Sequence, residues 1–198
     1  MGEALGRITA QLDEAGLRYA LVGGLAVSAV AEPRLTRDVG LAVSVSGDAG
    51  AERTIATLVT FGYRVQSLVE QTRVTRLATA RLLPPDETQL VVDLLFASSG
   101  IEPEIVRAAK RLEILSGVRA PVAAIGHLLA MKLLSRDDRD RPQDADDLLA
   151  LLAVASPVER RRAVAAIALI ERRGFARGRD LRAAWDLLVE NGSRKRTR

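Results

Sequence analysis

Apolar residues recur along this chain at two different periods, and the change of period divides it. Leu5, Ile8, Leu12 and Ala15 fall at helical spacing and Gly16 ends the run, which predicts a helix over 3–15. Residues 19–22 form a short apolar strand running into Gly23 and Gly24, and 25–31 read as a small-residue helix closed near Pro33. The β-branched run 39–45 predicts a second strand, and the segment from Gly47 to Gly50 leads into a helix over 51–61 closed by Gly62. Segments 73–83 and 89–96 read as an antiparallel pair joined through Pro84, Pro85, Asp86 and Glu87. A short helix over 103–109 follows, then a strand at 112–115 with a turn at Gly117. Beyond Pro121 the period is helical throughout, over 125–134, 142–154, 157–173 and 179–191, with Pro142 and Pro157 in first turns. The plan is an α/β segment over 1–120 followed by a helical segment over 121–198.

Composition narrows the class. The chain has 198 residues, 48% of them hydrophobic, enough for one compact core and inconsistent with disorder. No apolar run reaches the length of about 18 residues that a membrane helix needs, and the first residues do not read as a signal segment; a cytoplasmic protein is expected, with no membrane partner. Without cysteine there is no disulfide, thiolate metal site or cysteine nucleophile, so any metal would be held by oxygen or by His127, the single histidine. The net charge is +4, and apart from Lys110, Lys132 and Lys195 the cations are arginines. They concentrate at 160–162, 172–182 and 194–198, a distribution that suits either an RNA partner or a solvated basic face. The last six residues are expected to be mobile.

Two features suggest chemistry. Gly23 and Gly24, between a strand and a helix, would let the backbone approach a phosphate at a helix start rich in unpaired N–H groups. Asp38 enters the second strand, where residues 38 and 40 share a face, and Asp93 lies inside an apolar strand. A carboxylate there needs a cation. Two readings stand for it: an ion pair with Arg37 or Arg81, or a metal ion. Phosphoryl transfer favours carboxylates because two magnesium ions about 4 Å apart can stabilise the attacking and leaving oxygens.

Taken together, Val22-Gly23-Gly24-Leu25-Ala26-Val27, Thr36-Arg37-Asp38-Val39, Val92-Asp93-Leu94-Leu95-Phe96, the block 126–133 around Lys132, and the block 141–148 with Asp144, Asp146 and Asp147 resemble the AbiEii-like nucleotidyltransferases of abortive-infection and toxin–antitoxin systems. The resemblance implies an α/β nucleotidyltransferase fold, a mixed sheet flanked by helices with an all-helical C-terminal half. It further implies that Gly23 and Gly24 seat the triphosphate, that Asp38 and Asp93 bind magnesium or manganese, that Lys132 contacts nucleotide phosphates, and that Asp144 or Asp147 shapes the nucleotide site or catalysis. Each has a structural alternative. Lys132 can snorkel from its helix, and the acids after Pro142 suit a helix N-terminus. His127 is structural or a nucleotide contact. The sequence departs from the family pattern at Gly40, where the resemblance places a second acid.

The expectation is therefore an NTP-binding nucleotidyltransferase acting on an RNA end, tRNA being the acceptor, with a cognate antitoxin and with activity impaired by Gly40. The alternatives are a catalytically silent NTP- or RNA-binding protein, and a transferase acting on a protein or a small molecule.

Overall fold

The computed structural model describes residues 2–33, 36, 38–85, 90–136 and 143–196, with side chains to residue 192. Arg37, Asp86, Glu87 and Pro142, all named above, and Arg141 at the head of the 141–148 block lie outside the described residues, as do the last two residues of the basic tail.

The elements run α1 (Gly2–Glu14), β1 (Tyr19–Val22), α2 (Gly23–Val30), β2 (Asp38–Val43), α3 (Asp48–Thr60), β3 (Arg64–Gln71), β4 (Arg76–Leu83), β5 (Val91–Leu95), α4 (Glu102–Ala108), β6 (Lys110–Leu115), β7 (Val118–Val122), α5 (Ile125–Ser135), α6 (Gln143–Val154), α7 (Pro157–Arg172) and α8 (Leu181–Arg196). The strands form one 7-stranded sheet in the order β3-β4-β5-β2-β1-β7-β6. It is mixed: β2 pairs in parallel with β5, and β1 with β7, while the other neighbours are antiparallel. The β4–β5 pair is antiparallel as the sequence predicts.

Two strands escape the sequence pattern. β3 is an edge strand with nearly every residue exposed, so burial imposes no alternation on Arg64–Gln71. β7 contains Pro121, a residue that normally argues against a strand, yet it pairs with β1 on one side and β6 on the other. The last helix also runs further than expected, through Asn191 and Gly192 to Arg196. Gly192 packs where a Cβ would stand 2.7 Å from Leu152 Cδ2, so the absent side chain allows α8 to lie close against α6.

The two faces of the sheet centre differ. Successive residues alternate faces, and laterally paired residues share one. Val39, Leu41, Ala80, Leu82, Val92 and Leu94 all fall on one face and are fully buried. Asp38, Gly40, Asp93 and Arg81 fall on the other, which is only partly covered. Burying each aliphatic side chain is worth roughly 1.5–3 kcal/mol, so the covered face locks the register and thereby sets what stands on the open one.

The helices after β7 pack on one another and on the α/β part through a single hydrophobic cluster that includes Leu129, Leu133, Leu148, Leu151, Ile167 and Trp185. α5 and α7 approach so closely that a Cβ on Gly126 would stand 2.4 Å from Glu159 O. Gly126 N donates to Glu159 Oε2 at 2.7 Å at the same crossing.

Beside that crossing His127 is only 6% exposed, and its Nδ1 has no hydrogen-bond partner. Burial, reinforced by the Arg162 charge and opposed by Glu159 and Glu104, pushes its pKa down to about 4. The neutral ring belongs to the core. Because the unfolded chain protonates at the ordinary histidine value of about 6.5, it takes up the proton first as pH falls, and stability drops between pH 6.5 and pH 4. Urea unfolding at pH 7.5 and pH 5 is expected to show wild type losing about 2 kcal/mol more than His127→Phe. Equal pH slopes for the two proteins would contradict this.

Candidate nucleotide site

The site is built where β1 ends. Gly23 has φ 69°, a conformation that other residues adopt only with strain, and a Cβ there would meet no atom within 4 Å. The glycines do not precede the helix as the sequence suggests; α2 begins at them. Val22 provides no side-chain cap at the start of α2, whose first N–H groups are of the kind that suit a phosphate.

β2 passes beside this turn. Val22 pairs with Gly40, Gly40 pairs with Asp93, and Asp93 pairs with Arg81, so four strands set these residues in one row. Asp38 lies two residues before Gly40 on the same face and is exposed. The sequence put residues 38 and 40 on one face and offered Arg37 or Arg81 as an ion-pair partner for Asp93; the strand register brings Asp93 beside Gly40 and Arg81 beside Asp93. Its Nε and Nη2 donate to Asp93 Oδ1 and Oδ2, each at 2.8 Å, which is the ion-pair alternative for Asp93. The Asp93 hydrogen bonds raise the Arg81 pKa further, with Asp38 acting in the same direction, so the guanidinium stays charged.

Gly40 has a local reason to be small. A Cβ there would lie 3.3 Å from both Val22 Cγ2 and Val22 O, tight enough that Val22 must yield by a few tenths of an ångström. Asp48, the next acid along the chain, does not take its place: its Oδ1 accepts from Arg76 Nε at 2.8 Å and from Leu77 N at 3.3 Å, at the start of α3.

Among the described residues no group of three or more acids and histidines is arranged to hold a metal ion. The two carboxylates that the described residues bring to this row, one of them spanned by a guanidinium, do not by themselves fit a two-ion centre, which needs oxygen lone pairs on both ions.

Lys132, Asp144 and Asp147 form a second cluster. Lys132 Nζ lies 2.6 Å from Asp144 Oδ1 and 2.7 Å from Asp147 Oδ2, and Ser135 Oγ donates to Asp144 Oδ2 at 3.1 Å. All three charged groups are buried, joining α5 to α6. Neither sequence alternative for them described this: Lys132 does not snorkel outward, and the acids do more than meet a helix dipole. The i, i+3 spacing of Asp144 and Asp147, one helical turn apart on one face, is the signal that points to a shared cation. α2, which starts at the glycine turn, packs against both α5 and α6.

The basic segments are also less open than composition suggests. Arg160 donates to Ala155 O and Leu152 O at the end of α6, and Arg162 pairs with Glu159. Arg173 holds Glu104 and Gly100 O, Arg177 holds Ser98 O, Arg179 holds Leu133 O and Arg136 O, and Arg182 pairs with Asp186. Arg160, Arg173, Arg177 and Arg179 thus tie neighbouring helix ends and the loop after β5 to the α7–α8 hairpin, while the Arg162 and Arg182 pairs lie within α7 and α8. Arg161 and Arg172 are exposed.

A mixed sheet with a glycine turn at one strand end and one acid on each of the next two strands is the arrangement of a nucleotidyltransferase fold. Two solved structures share it. One is an antigenic nucleotidyltransferase-like protein from Paracoccidioides brasiliensis, 22% identical over 93% of this chain and 91% of its own, with a TM-score of 0.51. The other is the antibiotic-resistance factor ANT(2'')-Ia, 15% identical over 87% of this chain and 94% of its own, with a TM-score of 0.55. No curated protein matches the chain. The family model for the nucleotidyl transferase AbiEii toxin of type IV toxin–antitoxin systems matches residues 4–195. The chain belongs to that family, whose activity is nucleotide transfer. No helix of the described residues is long and apolar enough to cross a membrane.

Removing the cation from the Lys132 cluster would leave two carboxylates buried together. Lys132→Met is expected to destabilise the fold by about 3–5 kcal/mol in urea unfolding. A Lys132→Met protein as stable as wild type would mean that the lysine is not committed to Asp144 and Asp147.

Proposed function

We propose that this chain binds a nucleoside triphosphate at the glycine turn and transfers its nucleotide slowly to an RNA end, with tRNA as acceptor and toxicity restrained by a cognate antitoxin. The observation that carries the reading is the row Val22, Gly40, Asp93, Arg81 beside the uncapped start of α2. The N–H groups of α2 suit the phosphates, and Gly23 leaves the approach clear. In the transfer an acceptor hydroxyl gives up its proton to solvent and attacks the α-phosphate, the new oxygen–phosphorus bond forms as the bond to the β-phosphate bridging oxygen breaks, and pyrophosphate leaves. Asp38 is the exposed carboxylate on which this face depends. Magnesium or manganese would supply charge stabilisation in the family's chemistry, and Asp38 and Asp93 are the described carboxylates that would hold it, though they do not by themselves fit two ions.

Slowness follows from two departures on one row, an anion missing at Gly40 and a cation seated on Asp93. The same departures favour a second reading, an NTP-binding protein without turnover. Acceptor contact would fall to Arg161, Arg172 and the basic segment 194–198, since Arg160, Arg162 and Arg173 already serve the fold. The likeness to ANT(2'')-Ia carries fold alone and so does not favour a small-molecule acceptor.

Transfer from each α-labelled NTP to a total tRNA pool separates these readings. Wild type is expected to label tRNA slowly, Gly40→Asp about 10- to 100-fold faster, and Gly40→Asp with Asp38→Ala not at all. Labelling in wild type that survives Asp38→Ala overturns the proposal, and silence in wild type with bound NTP favours the second reading.

A further inference from the structure

Asp93 stands on the open face between two lateral neighbours, Gly40 on β2 and Arg81 on β4. A carboxylate among apolar strand residues requires a cation, and here the chain itself provides it. Both Asp93 oxygens accept from the Arg81 fork at 2.8 Å, the bidentate geometry that makes arginine–carboxylate pairs strong. Asp38, on the same face, adds its field to that of Asp93 and helps keep the guanidinium charged. A divalent ion on Asp93 would need the same oxygens and would sit beside a positive charge.

We infer that Arg81 is the resident cation of this site: it keeps divalent ions off Asp93 in the resting protein, and Asp38 with Asp93 becomes a divalent-cation site only when the guanidinium lets go. Gly40 makes the exclusion effective. A carboxylate at 40 would stand directly beside Asp93 and offer an ion a further ligand, tipping the competition away from Arg81. The missing anion and the added cation therefore act in one direction. Release is sterically open, because the Arg81 side chain is 41% exposed whereas Asp93 is 18% exposed. The arginine can swing outward without disturbing the β4–β5 ladder, whose hydrogen bonds are made by the backbone.

The inference rests on reading this face as the nucleotide site, but not on the acceptor or the transfer rate. Its test can therefore fail independently of tRNA labelling. Mn²⁺ binding to the full chain without nucleotide is read from the loss of the free-ion paramagnetic resonance signal. Arg81→Met is expected to bind Mn²⁺ about tenfold or more tighter than wild type. Arg81→Lys keeps the charge and should stay within about threefold of wild type. Arg81→Met with Asp93→Asn should lose the gain. Gly40→Asp, which leaves Arg81 in place, is a second route to the same result and should also bind more tightly. The inference is overturned if folded Arg81→Met binds Mn²⁺ as wild type does, if Arg81→Lys gains as much as Arg81→Met, or if the gain survives Asp93→Asn.

Discussion

The parallel pairing of β2 with β5 at the sheet centre is the constraint on which the site depends, because it sets Gly40 beside Asp93 and cannot slip by one residue without exposing the core. Val39 and Leu41 on β2, with Val92 and Leu94 on β5, are fully buried on the covered face. A shift of either strand by one residue would bring its own two of those side chains to the open face. The covered face thus holds the register, and the register aligns a row running from the glycine turn to Arg81. Chemistry on the open face is then decided by single residues. A carboxylate at position 40 would make the row strongly anionic and open to metal ions; glycine there, with an arginine on the far side of Asp93, makes it close to self-neutralised.

The second organising feature is the use of charge to join the helical part to the rest. Lys132 is enclosed by Asp144 and Asp147 between α5 and α6, and Arg173 and Arg177 reach from the α7–α8 hairpin to the loop after β5. Phe175 seals the same place: a Cβ on Gly100 would lie 2.5 Å from its ring. The buried Lys132 pairs add little net stability relative to apolar packing, but losing one partner leaves a buried charge, so they fix a geometry. Because α2 packs on both α5 and α6, a shift of the helical part would reach the glycine turn through a rigid element.

Most of this fold was legible in the sequence wherever one face of an element is buried. The helix α1, the strands β1, β2 and β5 and the four helices after β7 follow apolar periods closely, because burial imposes the period. β3 was not legible because its exposed positions carry no such constraint, and β7 was obscured by Pro121. In the site, the glycine turn, Asp38 and Asp93 were legible from local chemistry, and Arg81 was one of two arginines named as a partner for Asp93. Choosing between them required the β4–β5 register, which is a property of strand pairing and not of local sequence. The stapled arginines were illegible for the same kind of reason. Composition reports a cation, whereas its acceptor is often a backbone carbonyl some 40 to 80 residues distant, as with Arg179 and Leu133 or Arg177 and Ser98.

The measurement that bears most directly on the central claim is a double-mutant cycle on the ion pair itself. Unfolding free energies of wild type, Arg81→Met, Asp93→Asn and the double variant isolate the coupling between the two side chains. With Arg81 partly exposed, a bidentate pair in this setting should couple by about 1 kcal/mol. A coupling of that size, weakened when Gly40→Asp is added, is the result expected if Arg81 and Asp93 hold each other across the row. Strictly additive variants would contradict the account, leaving Asp93 without its resident cation and Gly40 without consequence for it.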